Sequence, residues 1–159
     1  MTSTATRLVA TVLVGLFATL LLAGSASAGQ LVDENGTWVY RAGPGEANRV
    51  RVQEEMVIAN PDPNRITIVD EDRTISLPNG CDRGPFPTGD TDVAYCAAKP
   101  VRFELGDGDD TATAMGGLPE GLLVTLDGGS GNDTLSGSHT GAKIVAGGGD
   151  GNDTLTGSH

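Results

Sequence analysis

The sequence has few aromatic residues and few cations. Its 159 residues include one Trp, two Tyr and three Phe, too few to predict a conventional core of bulky rings. Ten Lys and Arg stand against 21 Asp and Glu, which gives a formal net charge of −11. Binding nucleic acid by phosphate neutralisation requires an excess of cations, so the composition excludes that class of partner. The length predicts one domain, or one domain with a short appendage.

Common catalytic motifs are also missing. The two His do not form the His-Glu-x-x-His pattern of a zincin helix, and no Gly-x-Ser-x-Gly nucleophile elbow occurs. His139 and His159 occupy the same position of a repeat described below, so we interpret both as structural residues. The sequence therefore predicts that the chain is not an enzyme.

Residues 1–28 predict a removable export signal. Arg7 supplies the positive charge, an apolar run follows, and Ala26-Ser27-Ala28 has the small–x–small pattern that signal peptidases accept. The apolar run is about 16 residues long, shorter than the roughly 20 of a bilayer-spanning helix. We expect cleavage after Ala28 and a secreted, extracellular protein with no membrane anchor.

The only cysteines, Cys81 and Cys96, both follow the predicted leader. An exported chain meets an oxidising compartment, which favours a disulfide between them. Closing this loop contributes about 3 kcal/mol by chain entropy. Since no His lies nearby, we interpret the pair as structural rather than metal-binding.

The composition changes near residue 105. Of the 24 Gly, 15 fall in 106–159, together with eight acidic residues and a single Lys. Residues 29–104 instead alternate apolar with polar side chains, the period of half-buried strands. The predicted strands are 37–41, 49–53, 65–69, 73–77 and 101–105. The sequence thus predicts a β-rich N-terminal region with one disulfide, 29–104, followed by a Gly-rich segment, 105–159.

The Gly-rich segment repeats itself. Residues 128–139 (GGSGNDTLSGSH) recur as 148–159 (GGDGNDTLTGSH) with ten of twelve positions identical, and 105–113 (LGDGDDTAT) form a weaker copy. All three fit Gly-Gly-x-Gly-x-Asp-x-apolar-x, the nonapeptide of calcium-binding parallel β-rolls. The spacing of the copies predicts that their turns stack along one side of a coil.

On these copies the chain resembles the haemolysin-type calcium-binding repeat family, or repeats-in-toxin (RTX), of secreted bacterial proteins. The resemblance implies an all-β fold, a right-handed parallel β-roll or β-helix, with Ca²⁺ bound between stacked turns. Carboxylate ligands would come from Asp110, Asp133 and Asp153. Further oxygens would come from the backbone of Gly106, Gly108, Gly128, Gly131, Gly148 and Gly151 and from the side chains of Asp107 and Asp150. Such a set suits Ca²⁺, which takes six to eight oxygen ligands.

The N-terminal region carries a second likeness. Residues 43–50 (GPGEANRV), the two cysteines and 102–111 resemble the leading region of some secreted bacterial proteins with these repeats. This likeness implies that the early strands form irregular β-rich rungs that cap the coil.

The spacing also predicts how many ions bind. We expect one site between the Asp110 and Asp133 turns and a second between the Asp133 and Asp153 turns. The opposite side of the coil would be formed by 114–127 and 137–147. There Lys143 takes the motif Asp position if Val145 points inward, so we expect metal along one edge only.

Two functions of different class follow. In the first, the protein is a structural or interaction module whose partner is calcium and which folds when it meets Ca²⁺ outside the cell. Without metal, the acidic residues of the repeats repel one another and the segment stays disordered. In the second, the chain is a non-catalytic appendage or fragment of a larger secreted enzyme, toxin or adhesin. The alternative to calcium binding is a metal-free β-helix or a disordered Gly-rich tail.

Overall fold

The computed structural model describes residues 29–54, 62, 64–83, 92–138 and 141–157. The predicted signal peptide lies outside these residues, as do His139 and His159. The described residues are all β, as predicted, and contain no helix long and apolar enough to cross a membrane. Their strands are β1 (Gly29–Glu34), β2 (Thr37–Arg41), β3 (Arg49–Glu54), β4 (Arg65–Asp70), β5 (Ile75–Ser76), β6 (Cys81–Arg83), β7 (Asp92–Ala97), β8 (Val101–Glu104), β9 (Thr111–Ala114), β10 (Leu123–Ser130), β11 (Thr134–Gly137), β12 (Lys143–Asp150) and β13 (Thr154–Gly157).

The strands form two mixed sheets. The first has the order β12-β10-β8-β2-β1-β5 and the second the order β13-β11-β9-β3-β4-β7-β6. Pairing is parallel from β2 through β8 and β10 to β12, and from β3 through β9 and β11 to β13. It is antiparallel between β1 and β2, and along the series β3-β4-β7-β6 of the second sheet.

Four pairs of consecutive strands place one strand in each sheet. We call them rung 1 (β2 and β3), rung 2 (β8 and β9), rung 3 (β10 and β11) and rung 4 (β12 and β13). The residues between the two strands of each rung are turn 1 (42–48), turn 2 (105–110), turn 3 (131–133) and turn 4 (151–153). Because the rungs are in parallel register, these four turns lie along one edge of the molecule.

Alternate side chains of the strands point between the sheets, as the pleat requires. Val124 and Leu126 are buried in β10, and Leu135 is buried in β11 beside Ala112 of β9. The core is therefore continuous from the N-terminal region into the repeats.

The expectation that so few aromatics cannot form a bulky core is wrong for the N-terminal region. Trp38, Tyr40 and Phe103 are fully buried, and the rings of Tyr40 and Phe103 lie 5.7 Å apart. The Trp38 indole donates a hydrogen bond to the carbonyl oxygen of Ala97 at 2.8 Å. Three rings suffice because all three are concentrated in rungs 1 and 2.

The predicted disulfide between Cys81 and Cys96 is confirmed. The two cysteines face each other across the antiparallel β6–β7 pair, at the outer edge of the second sheet. Much of the segment that they enclose, 84–91, lies outside the described residues.

Four of the five predicted strands occur within a residue of their expected bounds, whereas 73–77 contains only the two-residue β5. The difference arises at Asp70, whose Oδ1 accepts the N–H groups of Asp72 and Arg73 at 3.0 and 2.9 Å. These bonds form a tight turn that occupies the start of the expected strand.

The condition under which Lys143 would take the motif Asp position, an inward Val145, does not hold. Val145 is 47% exposed, while its neighbours Ile144 and Ala146 pack against the core. The cause is the register of β12 on β10, which pairs Ile144 with the buried Val124. Lys143 is therefore an exposed residue outside the motif Asp position, which the register assigns to Ala142.

Candidate functional site

The three repeat aspartates form a column along the turn edge. Oδ1 of Asp133 accepts the backbone N–H of Asp110 at 2.9 Å, and Oδ1 of Asp153 accepts that of Asp133 at 3.0 Å. The same bond thus recurs at successive rungs, although the residues are 23 and 20 positions apart in the chain. Each carboxylate is tied to the turn that precedes it.

The column continues into turn 1, which the sequence analysis did not assign to the site. Oδ1 of Asp110 accepts two hydrogen bonds from Asn48, from the backbone N–H at 2.6 Å and from Nδ2 at 3.0 Å. Asn48 therefore stands in turn 1 where Asp110 stands in turn 2. Its signal was present in GPGEANRV, where Asn48 takes the Asp position while Pro44 and Glu46 replace two motif glycines.

Two carboxylates of the column are buried with one oxygen unpaired. Asp110 and Asp133 are each 1% exposed, and Oδ2 of each has no hydrogen-bond partner among the described residues. Asp153, in the last turn, is partly exposed. A buried carboxylate oxygen without a donor is costly unless a cation or a proton satisfies it. These two oxygens therefore fit a bound cation.

The surroundings of Asp110 disfavour its charged form. Burial raises the pKa of the Asp110 carboxyl, the two hydrogen bonds from Asn48 lower it, and the charges of Asp133 and Asp107 raise it further. The net shift is upward. A cation beside the column would offset both the desolvation and the repulsion between carboxylates.

Glycine is required where the turns approach one another. Gly131 has a φ of 140°, and a Cβ there would collide with the carbonyl oxygen of Gly108. A Cβ on Gly151 would likewise collide with the carbonyl oxygen of Gly131. Any larger residue would separate the turns, since neither the backbone conformation nor the space admits a side chain.

The remaining predicted glycines, Gly106, Gly128 and Gly148, do not all share one position of the motif. A Cβ on Gly128 or Gly148 would collide with the motif carboxylate of its own copy. In the weak copy this position belongs to Leu105, whereas Gly106 lies against Gly129. The carbonyl oxygen of Gly106 accepts the N–H of Ser130 at 2.8 Å.

The predicted auxiliary ligands Asp107 and Asp150 lie at the surface. Both side chains are exposed. Oδ1 of Asp107 accepts the N–H of Gly45 at 2.7 Å, and the backbone oxygen of Asp150 accepts the N–H of Gly131 at 2.8 Å. Asp107 and Asp150 are thus more exposed than Asp110 and Asp133, and their role as auxiliary ligands stays a prediction.

The described part of the chain holds no cluster of three or more His, Cys, Asp or Glu side chains that could bind a metal by themselves. Because the column offers one aspartate per rung, a cation between rungs would take most of its ligands from backbone carbonyls. Every such donor is an oxygen, the ligand type that hard cations prefer.

No family model, no curated protein and no solved structure matches this chain.

Proposed function

We propose that this protein binds Ca²⁺ between successive turns of the column, and that its rungs form a right-handed parallel β-roll capped by the irregular N-terminal strands. The alternation of strands between two sheets supports this architecture. The parallel register of rungs 1 to 4 supports it as well. The antiparallel strands β1, β4, β6 and β7 would be the cap.

The observation that carries the calcium proposal is the unpaired Oδ2 of the buried Asp110 and Asp133. Carboxylates of the column and turn carbonyls would hold the ion, which supplies the positive charge that the described residues of the column lack. A site of this composition suits Ca²⁺ better than a softer metal, because no thiolate or imidazole takes part.

We further propose that the protein acts outside the cell as a non-catalytic binding or structural module. The export signal that residues 1–28 predict supports this location. Folding would depend on Ca²⁺, since 106–159 hold eight acidic residues and one Lys, and binding of divalent ions offsets their repulsion.

A calcium titration tests the proposal. We expect circular dichroism to report a gain of β structure at millimolar Ca²⁺, which a chelator reverses, and calorimetry to report at least two ions. Asp133→Asn should remove at least one ion, because its turn contributes to two junctions. Asp127→Asn is the matched control, since this exposed residue of β10 loses the same charge outside the column. Circular dichroism spectra that change with neither calcium nor chelator would overturn the proposal.

A further inference from the structure

We infer that a further Ca²⁺ site lies between turns 1 and 2, where Glu46, Asn48 and Asp110 supply side-chain oxygens. This inference rests on the proposed function but adds Glu46 and Asn48, which lie outside the nonapeptide copies. It raises the expected number of ions from two to three.

The direction of the hydrogen bonds assigns each carboxylate to a junction. Asp133 is bonded back to turn 2 and Asp153 back to turn 3. By the same rule Asp110, which is bonded back to Asn48, belongs to the junction of turns 1 and 2. Three carboxylates are thus assigned to three junctions, and the first junction joins turn 1, which precedes the repeats, to the weak copy.

Turn 2 lies on turn 1 as the repeats lie on one another. A Cβ on Gly108 would collide with the carbonyl oxygen of Glu46, just as a Cβ on Gly131 would collide with that of Gly108. The backbone of Glu46 therefore takes the place of a motif glycine. Turn 1 belongs to the column in spite of its divergent sequence.

Three buried side chains of turns 1 and 2 each have an oxygen without a hydrogen-bond partner among the described residues. Glu46, Asn48 and Asp110 are 6%, 0% and 1% exposed, and Glu46 Oε1, Asn48 Oδ1 and Asp110 Oδ2 have no hydrogen-bond partner among the described residues. Nδ2 of Asn48 connects the other two residues, since it donates to the backbone oxygen of Glu46 at 3.1 Å and to Asp110. Two carboxylates and an amide oxygen form a set of hard donors suited to Ca²⁺.

One protein cation approaches this set. Nε of Arg73 lies 3.9 Å from Oε1 of Glu46, too far for a hydrogen bond. The second oxygen of Glu46 accepts the N–H of Gly43 at 3.2 Å. Arg73 is therefore the group with which Ca²⁺ would compete, and a purely structural Glu46–Arg73 pair is the alternative that the experiment must separate.

Counting bound ions by native mass spectrometry tests the inference on the full mature chain. We expect three Ca²⁺ in the unaltered protein and two in Glu46→Gln. The matched control is Glu120→Gln, which removes the same charge from an exposed residue on the opposite edge and should keep all three. Two ions in the unaltered protein, unchanged by Glu46→Gln, would overturn this inference and leave the proposed function standing. No bound ion at all would overturn both.

Asn48→Asp keeps the inference testable if Glu46→Gln does not fold. With chelator this variant should be less stable than the unaltered protein, because the new carboxylate repels Asp110 and the Nδ2 donor is lost. With Ca²⁺ the loss should disappear, and the junction ion should bind about tenfold more tightly because the site gains a charged ligand. An equal loss of stability with and without Ca²⁺ would mean a purely structural role and would overturn the inference.

Discussion

The regions before and after residue 105 share two sheets but differ in what holds them together. Residues 29–104 bury Trp38, Tyr40 and Phe103, carry the disulfide, and contain all the ion pairs that join described residues. Such a region has an apolar core, and its eight Lys and Arg offset much of the charge of its 13 Asp and Glu. We expect its stability to follow mainly from burial and covalent constraint, with the proposed calcium ligands Glu46 and Asn48 confined to turn 1.

Residues after 105 bury few large side chains and contain no disulfide. Ala112 and Leu135 are buried in rungs 2 and 3, whereas Leu155 in rung 4, the last described rung, is 50% exposed. Backbone ladders and close-packed glycines connect the rungs, while the stacked aspartates add repulsion. Under the proposed function, the same sheet arrangement would have two sources of stability, and the second would require positive charge from solution.

Removing calcium should affect the two regions most differently. In chelator we expect the amide protons of β11 and β13 to exchange about a thousandfold faster than at saturating Ca²⁺, the effect of a ligand at a thousand times its dissociation constant. Amides of β4 and β7 should keep their rates, because their protection derives from the apolar core. Hydrogen exchange read by mass spectrometry makes this measurement. Equal acceleration in all four strands would contradict the division into two regions.

Removing the disulfide should produce the next largest effect, in the opposite region. Replacing Cys81 and Cys96 together by Ala should lower the free energy of unfolding by about 3 kcal/mol in denaturant titrations. The number of bound Ca²⁺ ions should not change, because β6 and β7 lie at the far edge of the second sheet from the repeats. The unaltered protein in reducing agent is the control and should lose the same stability. A parallel loss of ions would show that the regions are coupled.

The sequence predicted the features that depend on local pattern. Alternating residues located β2, β3, β4 and β8, and the repeat identified the positions of Asp110, Asp133 and Asp153. It could not predict which side chains of β12 point into the core, because both Val145 and Ile144 are apolar. Only the pairing with β10 determines that Ile144 does. It also missed Asn48, since its place in the column depends on a contact with Asp110 across 62 residues. Pattern thus located the turns, whereas tertiary register determined which residues meet there.

A weaker effect is expected at Asp70, a buried carboxylate of the N-terminal region whose two oxygens both accept hydrogen bonds from the protein. Asp70 is fully buried, and its Oδ2 accepts the hydroxyl proton of Tyr40 at 2.6 Å. Burial nevertheless raises the pKa of Asp70 above its ordinary 3.8. The folded protein therefore binds this proton more tightly than the unfolded chain, so ionisation of Asp70 costs stability above its folded pKa, and the cost fades as the pH falls towards 3.8.

Asp70→Asn removes that titration and so measures it. The free energy of unfolding of the unaltered protein minus that of Asp70→Asn should decrease as the pH rises from 3.8 through the folded pKa, by at most about 1.4 kcal/mol per pH unit. Denaturant titrations of both proteins at a series of pH values from 3.8 upward, in chelator and in Ca²⁺, measure this difference in the free energy of unfolding. It should be the same in both buffers, because Asp70 has hydrogen-bond donors from the protein, whereas Asp110 and Asp133, each with an unpaired oxygen, are the proposed calcium ligands. A difference that changes with calcium would place Asp70 among the residues that respond to the ion, and would move the boundary between the two regions into the N-terminal core.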